Sequence, residues 1–470
     1  MKSALVAIPL LFCLCLPACA PKPVRPDRLT FAPLAFHVPE VERMELPNGI
    51  RLYLKEDHEL PLVEVTAMVG AGSIGDPAEK AGLGRLQAAL LRTGGVAGRS
   101  PAALDDQLDR LAATLTAASG TYATTLNLSL RSADLGTGVE ILADILRRPA
   151  FDPSRLEIAR LQAIEKIRRQ DDNPAILAHR ILREALYRGH PFGRSPTVAS
   201  VSAIRRSDLV AFHQRYFLPN NLQLGITGDF DRSKLLHLLR ACFGDWRSRE
   251  FIPQPVSSLP EPGKPAVWVA RKQLPQTTIV MGEIGIEKDN PDLYAVRVMN
   301  FLLGGGGFNS RFMREIRSNR GLAYSTYSFF QVGRRLPGPF LAGCETKSDS
   351  TLTVIRLMRR IMESLRRQPV APAELKLAKE SLINSYVFGF ENTRSVVART
   401  MRLDYHHYPK DFLQTYRARI AAVSAADVLR VAKRYLHPEA QTIVLVGNPA
   451  AFDGTARSLG LSVNEVETHR

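Results

Sequence analysis

Three features of the sequence predict an α+β protein of two homologous domains, each a mostly antiparallel sheet with helices packed on one face. Strand-like patterns open each half, helical patterns follow, and a strand closes it. One ungapped shift of 219 positions lays about 75 residues of the first half, Pro153 to Gly228, on Pro372 to Gly447 of the second. Between them, Pro253, Pro255, Pro260, Pro262 and Pro265 interrupt residues 251–265, a proline density that neither a helix nor a central strand accepts. The 470 residues suffice for this plan at roughly 100–200 per domain. With 45% hydrophobic and 23% charged residues, the chain is globular rather than disordered, fibrous or polytopic in a membrane.

The N-terminus reads as a leader. Lys2 precedes the apolar run Ala4–Leu16, which is shorter than the ~20 residues of a spanning helix and has the length of a signal peptide. Leu16-Pro17-Ala18-Cys19 resembles the bacterial lipobox, so residues 1–18 are expected to be removed and Cys19 lipidated. An ordinary secretory signal cut nearby is the alternative. Both export the chain. Residues 19–41, with Pro21, Pro23, Pro26, Pro33 and Pro39, then form an extended, semi-rigid tether to a membrane anchor.

The first domain is expected over 42–250. Arg51–Lys55 alternates polar and apolar residues as a half-buried strand does, and a second strand, Leu62–Val69, stops at Gly70. Leu156–Arg169 has helical apolar spacing. Ser207-Asp208-Leu209 is a capping sequence for a helix ending near Tyr216–Pro219, and Leu222–Gly228 is the closing strand. The repeat places a second domain at 266–455, leaving 456–470 as a tail. It pairs Pro153 with Pro372, Asn173 with Asn392, Arg183 with Arg402, Asp208 with Asp427 and Gly228 with Gly447.

Charge and cysteines bound the function. Five cysteines are too few for a disulfide scaffold, and Cys242 and Cys344, in different halves, read as buried small hydrophobes. A net charge of +16 points to an anionic partner. Export and the lack of a binding motif set nucleic acid aside, which leaves an anionic membrane surface or an acidic subunit or peptide. The pairs Arg168-Arg169, Arg205-Arg206, Arg359-Arg360 and Arg366-Arg367 read as solvated helix faces. Gly304–Gly307 lacks the Gly-Lys-Ser/Thr of a phosphate loop.

Three segments resemble the pitrilysin/insulinase family of zinc peptidases, the inverzincins: residues 46–95 from Leu46-Pro-Asn-Gly, residues 168–204 around Arg188-Gly-His-Pro-Phe, and residues 301–328 from Phe301 through Gly304–Gly307 to Ser328. The resemblance covers 42–450 and implies a duplicated fold forming half of a clamshell. Active members carry H-x-x-E-H, in which two imidazoles one helical turn apart hold zinc and the glutamate activates water. Here Arg85, Ala88 and Ala89 stand at those three positions, and Glu165 stands in the register of the distal ligand. Among the ten histidines, His179 and His190 flank a helix, His406 and His407 are adjacent, and His37 and His469 lie in tails, so none rebuilds the motif. This chain is expected to hold no metal and to be inactive alone.

The second domain keeps Arg317 and Tyr324 at the family's spacing, with Arg320 a solvated neighbour. The resemblance implies that this pair reaches the substrate, donating hydrogen bonds to a carbonyl oxygen that turns negative during attack. The alternative is a surface arginine and a core tyrosine. The chain is thus expected to be the non-catalytic subunit of a heteromeric zinc endopeptidase, with zinc in a homologous partner and a peptide as substrate. A structural or assembly scaffold and a stand-alone peptide-binding lipoprotein remain open.

Overall fold

In the computed structural model, two six-stranded sheets carry the chain, and five strands of each follow the same order. The structure describes residues 35–467 except 252, 254, 255 and 262; the signal peptide, Cys19, most of the tether and His469 lie outside them. Residues 38 onward form one unit. The first sheet comprises β1 (Glu42–Glu45), β2 (Arg51–Glu56), β3 (Leu62–Val69), β4 (Thr114–Ser119), β5 (Thr124–Arg131) and β6 (Leu222–Gly228), ordered β1-β2-β6-β3-β5-β4. The second comprises β7 (Ala266–Arg271), β8 (Gln276–Ile284), β9 (Ala323–Phe330), β10 (Pro339–Lys347), β11 (Thr442–Gly447) and β12 (Ser462–Val466), ordered β12-β7-β11-β8-β10-β9. β6 runs parallel to β2, as β11 does to β7, and the strands from β3 to β4 and from β8 to β9 pair antiparallel.

Local chemistry explains the elements. In β5, Leu126, Leu128 and Leu130 point into the core and the intervening residues are half-buried, the period of a sheet with one wetter face. β11 is buried at every position and β6 at all but Gly228, which requires cover on both faces. One face of the first sheet packs on its own helices, including Leu83–Thr93, Leu135–Arg147 and Arg206–Tyr216.

The second cover is exchanged between the halves. The helix Pro174–Leu186, from the first half, lies on β8 and β11 of the second, where Leu177, Ala178, Ile181 and Leu182 meet Val280, Val444 and Val446. Its repeat counterpart, Thr393–Tyr405, lies on β2 and β6 of the first sheet. Asn173 and Asn392 begin these helices by accepting backbone N–H bonds, from Ala175 and Ile176 in one case and Ser395 in the other. The repeat therefore preserved the caps of the exchanged elements.

Four expectations need correction. Residues 456–470 are not merely a tail, because β12 pairs parallel with β7 and closes the second sheet's edge. His179 does not flank a helix but sits inside Pro174–Leu186. Ser207 is a helical residue, and capping comes from Asp208, whose Oδ2 accepts from the Arg205 N–H at 2.8 Å. Arg359 is not solvated: it is buried, bonded to the Leu459 carbonyl at 3.1 Å and paired with Glu439 at 3.2 Å. The linker 251–265 has no regular structure among its described residues. Cys242 and Cys344 are free thiols, and burial pushes the Cys344 thiol up to about 12.

Candidate functional site

The helix Leu83–Thr93 starts from Gly82, whose φ of +104° only glycine adopts without strain. Both oxygens of Asp76 brace this start, accepting from the Gly82 and Gly84 N–H groups at 2.9 Å each. Burial raises the Asp76 carboxyl to about 6 against the pull of those amides and of Arg85 and Arg194. Arg85 and Ala89, four residues apart, share the exposed face, whereas Ala88 is 1% exposed and belongs to the core. Glu165 is exposed and paired with Arg169 at 2.6 Å.

These residues do not fit zinc. A guanidinium cannot donate a lone pair, two methyl groups have none, and the remaining carboxylate is neutralised by its own helix neighbour. Among the described residues, no group of three or more His, Cys, Asp or Glu is placed to hold a metal ion. The histidines are occupied elsewhere. His179 stacks on Tyr327 and bonds its hydroxyl at 3.0 Å, His190 bonds the Ser257 carbonyl at 3.0 Å, and His406 accepts from Arg334 at 3.0 Å.

The second domain presents a different site. A π-helical turn, Met313–Ser318, carries Arg317. Gly321, at φ +63°, donates to the Arg317 carbonyl at 2.9 Å and turns the chain into β9, the edge strand that holds Tyr324. The Arg317 guanidinium lies 4.3 Å from the Tyr324 ring centroid and 4.7 Å from that of Phe308, sandwiched between two aromatics. Tyr324 is 82% exposed and Phe308 66%, so Tyr324 is not the core tyrosine of the alternative reading. Among the described residues, neither the guanidinium nor the phenol has a side-chain hydrogen bond or ion pair. Arg320 is exposed, as a solvated neighbour should be, and pairs at the surface with Glu315 at 2.6 Å, which holds that carboxyl below its usual range.

Phe308 was missed in the sequence, where only its place after four glycines marked it. Gly304 serves packing: a Cβ there would come within 2.6 Å of the Ser328 backbone nitrogen in β9. Gly307, at φ +56°, makes the turn that delivers Phe308.

A duplicated peptidase-type fold whose first helix has lost every metal ligand defines a class, the non-peptidase homologue. Comparison with known proteins agrees. Residues 51–198 match the family described as Insulinase (Peptidase family M16), and residues 203–382 match the Peptidase M16 inactive domain. The chain belongs to peptidase family M16, as a member without the zinc-binding motif, which is what the resemblance implied. An uncharacterised zinc protease of Mycobacterium leprae is 26% identical over 436 residues, covering 90% of this chain and 95% of the relative. The non-peptidase homologue YmxG of Helicobacter pylori is 25% identical over 425 residues, 87% and 93% of the two chains. Among solved structures, a peptidase M16 inactive domain from Pseudomonas fluorescens superimposes with TM-score 0.80 at 24% identity, over 88% of this chain and 99% of that one. The periplasmic protease PqqL of Escherichia coli gives 0.72 at 15% identity, with this chain spanning 46% of its length.

Proposed function

We propose that this chain is the non-catalytic subunit of a heteromeric zinc metalloendopeptidase. A homologous partner supplies zinc, water and general base, and this chain supplies Arg317 and Tyr324 to the peptide held between them. The observation that carries the reading is the pair itself, an exposed Tyr324 beside a half-buried Arg317. A guanidinium fixed between two rings and a phenol on an edge strand, both with free donors, suit a carbonyl presented from outside the chain. The rings limit the arginine's rotamers, so little ordering remains to be done when substrate arrives. Export and a lipid anchor at Cys19 place the assembly in the cell envelope, facing the periplasm. No helix of the described residues is long and apolar enough to cross a membrane, so anchorage in this reading falls to the lipid.

The test is reconstitution with the zinc-bearing homologue and a quenched peptide. Arg317→Ala should lower kcat/KM by about 10²–10³, the size of a lost oxyanion donor, with complex formation unchanged. Tyr324→Phe, which keeps the ring and removes the hydroxyl, should lower it less. A homologue fully active alone, or a mixture indifferent to Arg317→Ala, overturns the proposal. Mass spectrometry of the N-terminal peptide tests acylation of Cys19.

A further inference from the structure

Arg85 opens into a cavity of about 670 Å³ bounded by elements of both halves, and its charge is unlike that of an ordinary cleft. Five arginines line it: Arg85, Arg183, Arg194, Arg334 and Arg402. No aspartate or glutamate does. Arg183 and Arg402 are repeat counterparts, one on each exchanged helix, so the exchange brings two equivalent guanidiniums to one space.

The hydrogen bonds these arginines make go to neutral acceptors. Arg183 donates to the Ser195 hydroxyl at 2.8 Å, Arg194 to the Asp76 carbonyl at 2.8 Å and Arg334 to the His406 imidazole at 3.0 Å. The carboxylates of the neighbourhood are already engaged, Asp76 by two backbone amides and Glu184 by the Ser195 hydroxyl at 2.5 Å and by Arg180. Asp76 offsets part of the charge of Arg85 and Arg194, and Glu184 part of that of Arg183, but five guanidiniums outnumber these two carboxylates, and other groups register the excess. Burial pushes the Arg183 and Arg402 guanidiniums down, aided by Arg85 at one and Arg334 at the other. His406 is driven to about 3 by burial together with Arg334 and Arg335. Tyr122, Phe192 and Leu341 supply apolar wall.

We infer that this cavity binds a short acidic peptide, whose carboxylates pair with Arg85, Arg183 and Arg402 while an apolar side chain lies against Tyr122 and Phe192. Guanidinium forks match carboxylates in two parallel hydrogen bonds, and a pocket of this volume encloses a small organic ligand. Where active relatives bind a cation, the arginine substitution has made an anion site.

The site is tested on the exported chain alone, without any partner, so its failure leaves the paired-subunit proposal standing. The probe is a fluorescein-labelled Phe-Glu-Glu-Asp peptide, compared with its Phe-Gln-Gln-Asn analogue and with inorganic phosphate as competitor. The acidic peptide should bind at least tenfold more tightly than the analogue, and Arg183→Gln and Arg402→Gln should each weaken it about tenfold, as loss of a charged hydrogen-bond partner does. Arg356→Gln, which removes a positive charge outside the cavity, should change nothing. Equal binding of the two peptides, unaltered binding in both cavity variants, or an equal loss in Arg356→Gln overturns the inference. Phosphate that displaces the peptide at equal concentration reassigns the site to a phosphate ligand and overturns the peptide. Should either cavity variant fail to fold, the contrast between the acidic and amide peptides on the wild type still decides.

Discussion

Gly225 lies in β6 where the helix Thr393–Tyr405 crosses it, and Gly225→Ala tests whether the exchanged helix is held by close packing. On an open strand, replacing glycine with alanine gains about 0.5–1 kcal/mol by reducing the freedom of the unfolded chain. Here a Cβ would stand 2.4 Å from Met401 Sδ and 2.6 Å from Val397 Cγ1. The methionine can swing aside, but Val397 is β-branched and stiff, and both are almost fully buried. Forcing a methyl group into such a core costs about 1–3 kcal/mol. The sign therefore reverses, and the expected net loss is about 1 kcal/mol. Urea unfolding followed by circular dichroism measures it. Val397→Ala in the Gly225→Ala background should recover part of the loss, a coupling of about 1 kcal/mol between residues in contact. The strand and helix belong to different halves, so the loss should shift one shared transition. A Gly225→Ala protein as stable as wild type, or strictly additive effects of the two changes, refutes the argument.

Two further outcomes follow from buried groups. His213 bonds the Leu146 carbonyl at 2.9 Å, and burial pushes it down to about 4 from an ordinary 6.5. The unfolded chain takes up that proton first, so stability should be complete above pH 7 and fall as pH drops from 6.5 towards 4, with about 2 kcal/mol lost at pH 5. Urea midpoints at pH 7.5 and pH 5 measure this, and a His213→Gln protein with the same pH difference would contradict it. Ala88→Glu, which restores one residue of the lost motif, should destabilise by about 3 kcal/mol because the carboxylate enters a core with no partner. Thermal unfolding near the wild-type temperature would refute that. One tightly bound zinc per chain, by elemental analysis, would refute the account of Arg85 and Ala89.

Much of the fold was readable because its signals are local. Leu62–Val69 and Leu222–Gly228 appear as strands with those limits, and the repeated Asn173/Asn392 and Asp208/Asp427 pairs proved to be helix caps. The exchange was not readable, because an apolar stripe on Pro174–Leu186 declares that it is buried without saying on which sheet. β12 escaped because Ser462–Val466 mixes polar and apolar residues at an edge that needs only one parallel neighbour. At the site, spacing found Arg317 and Tyr324, but not Phe308, which joins them only through the turn at Gly307. The arginine-lined cavity collects residues from six separate stretches, and apart from the Arg183/Arg402 correspondence nothing in the sequence groups them.

The exchanged helices also set an order on biogenesis. While the chain is being synthesised, β2 and β6 are complete by residue 228, but the helix that covers their outer face ends at residue 405. Some 40% of the protein must be made before the first sheet can leave water on that side, as counted on the 470-residue sequence. Under the export proposed above, this delay is an advantage, since the first half cannot lock shut ahead of the second. The same dependence means that a fragment ending in the linker should be recovered as aggregate, and that two separately expressed halves should become soluble only together.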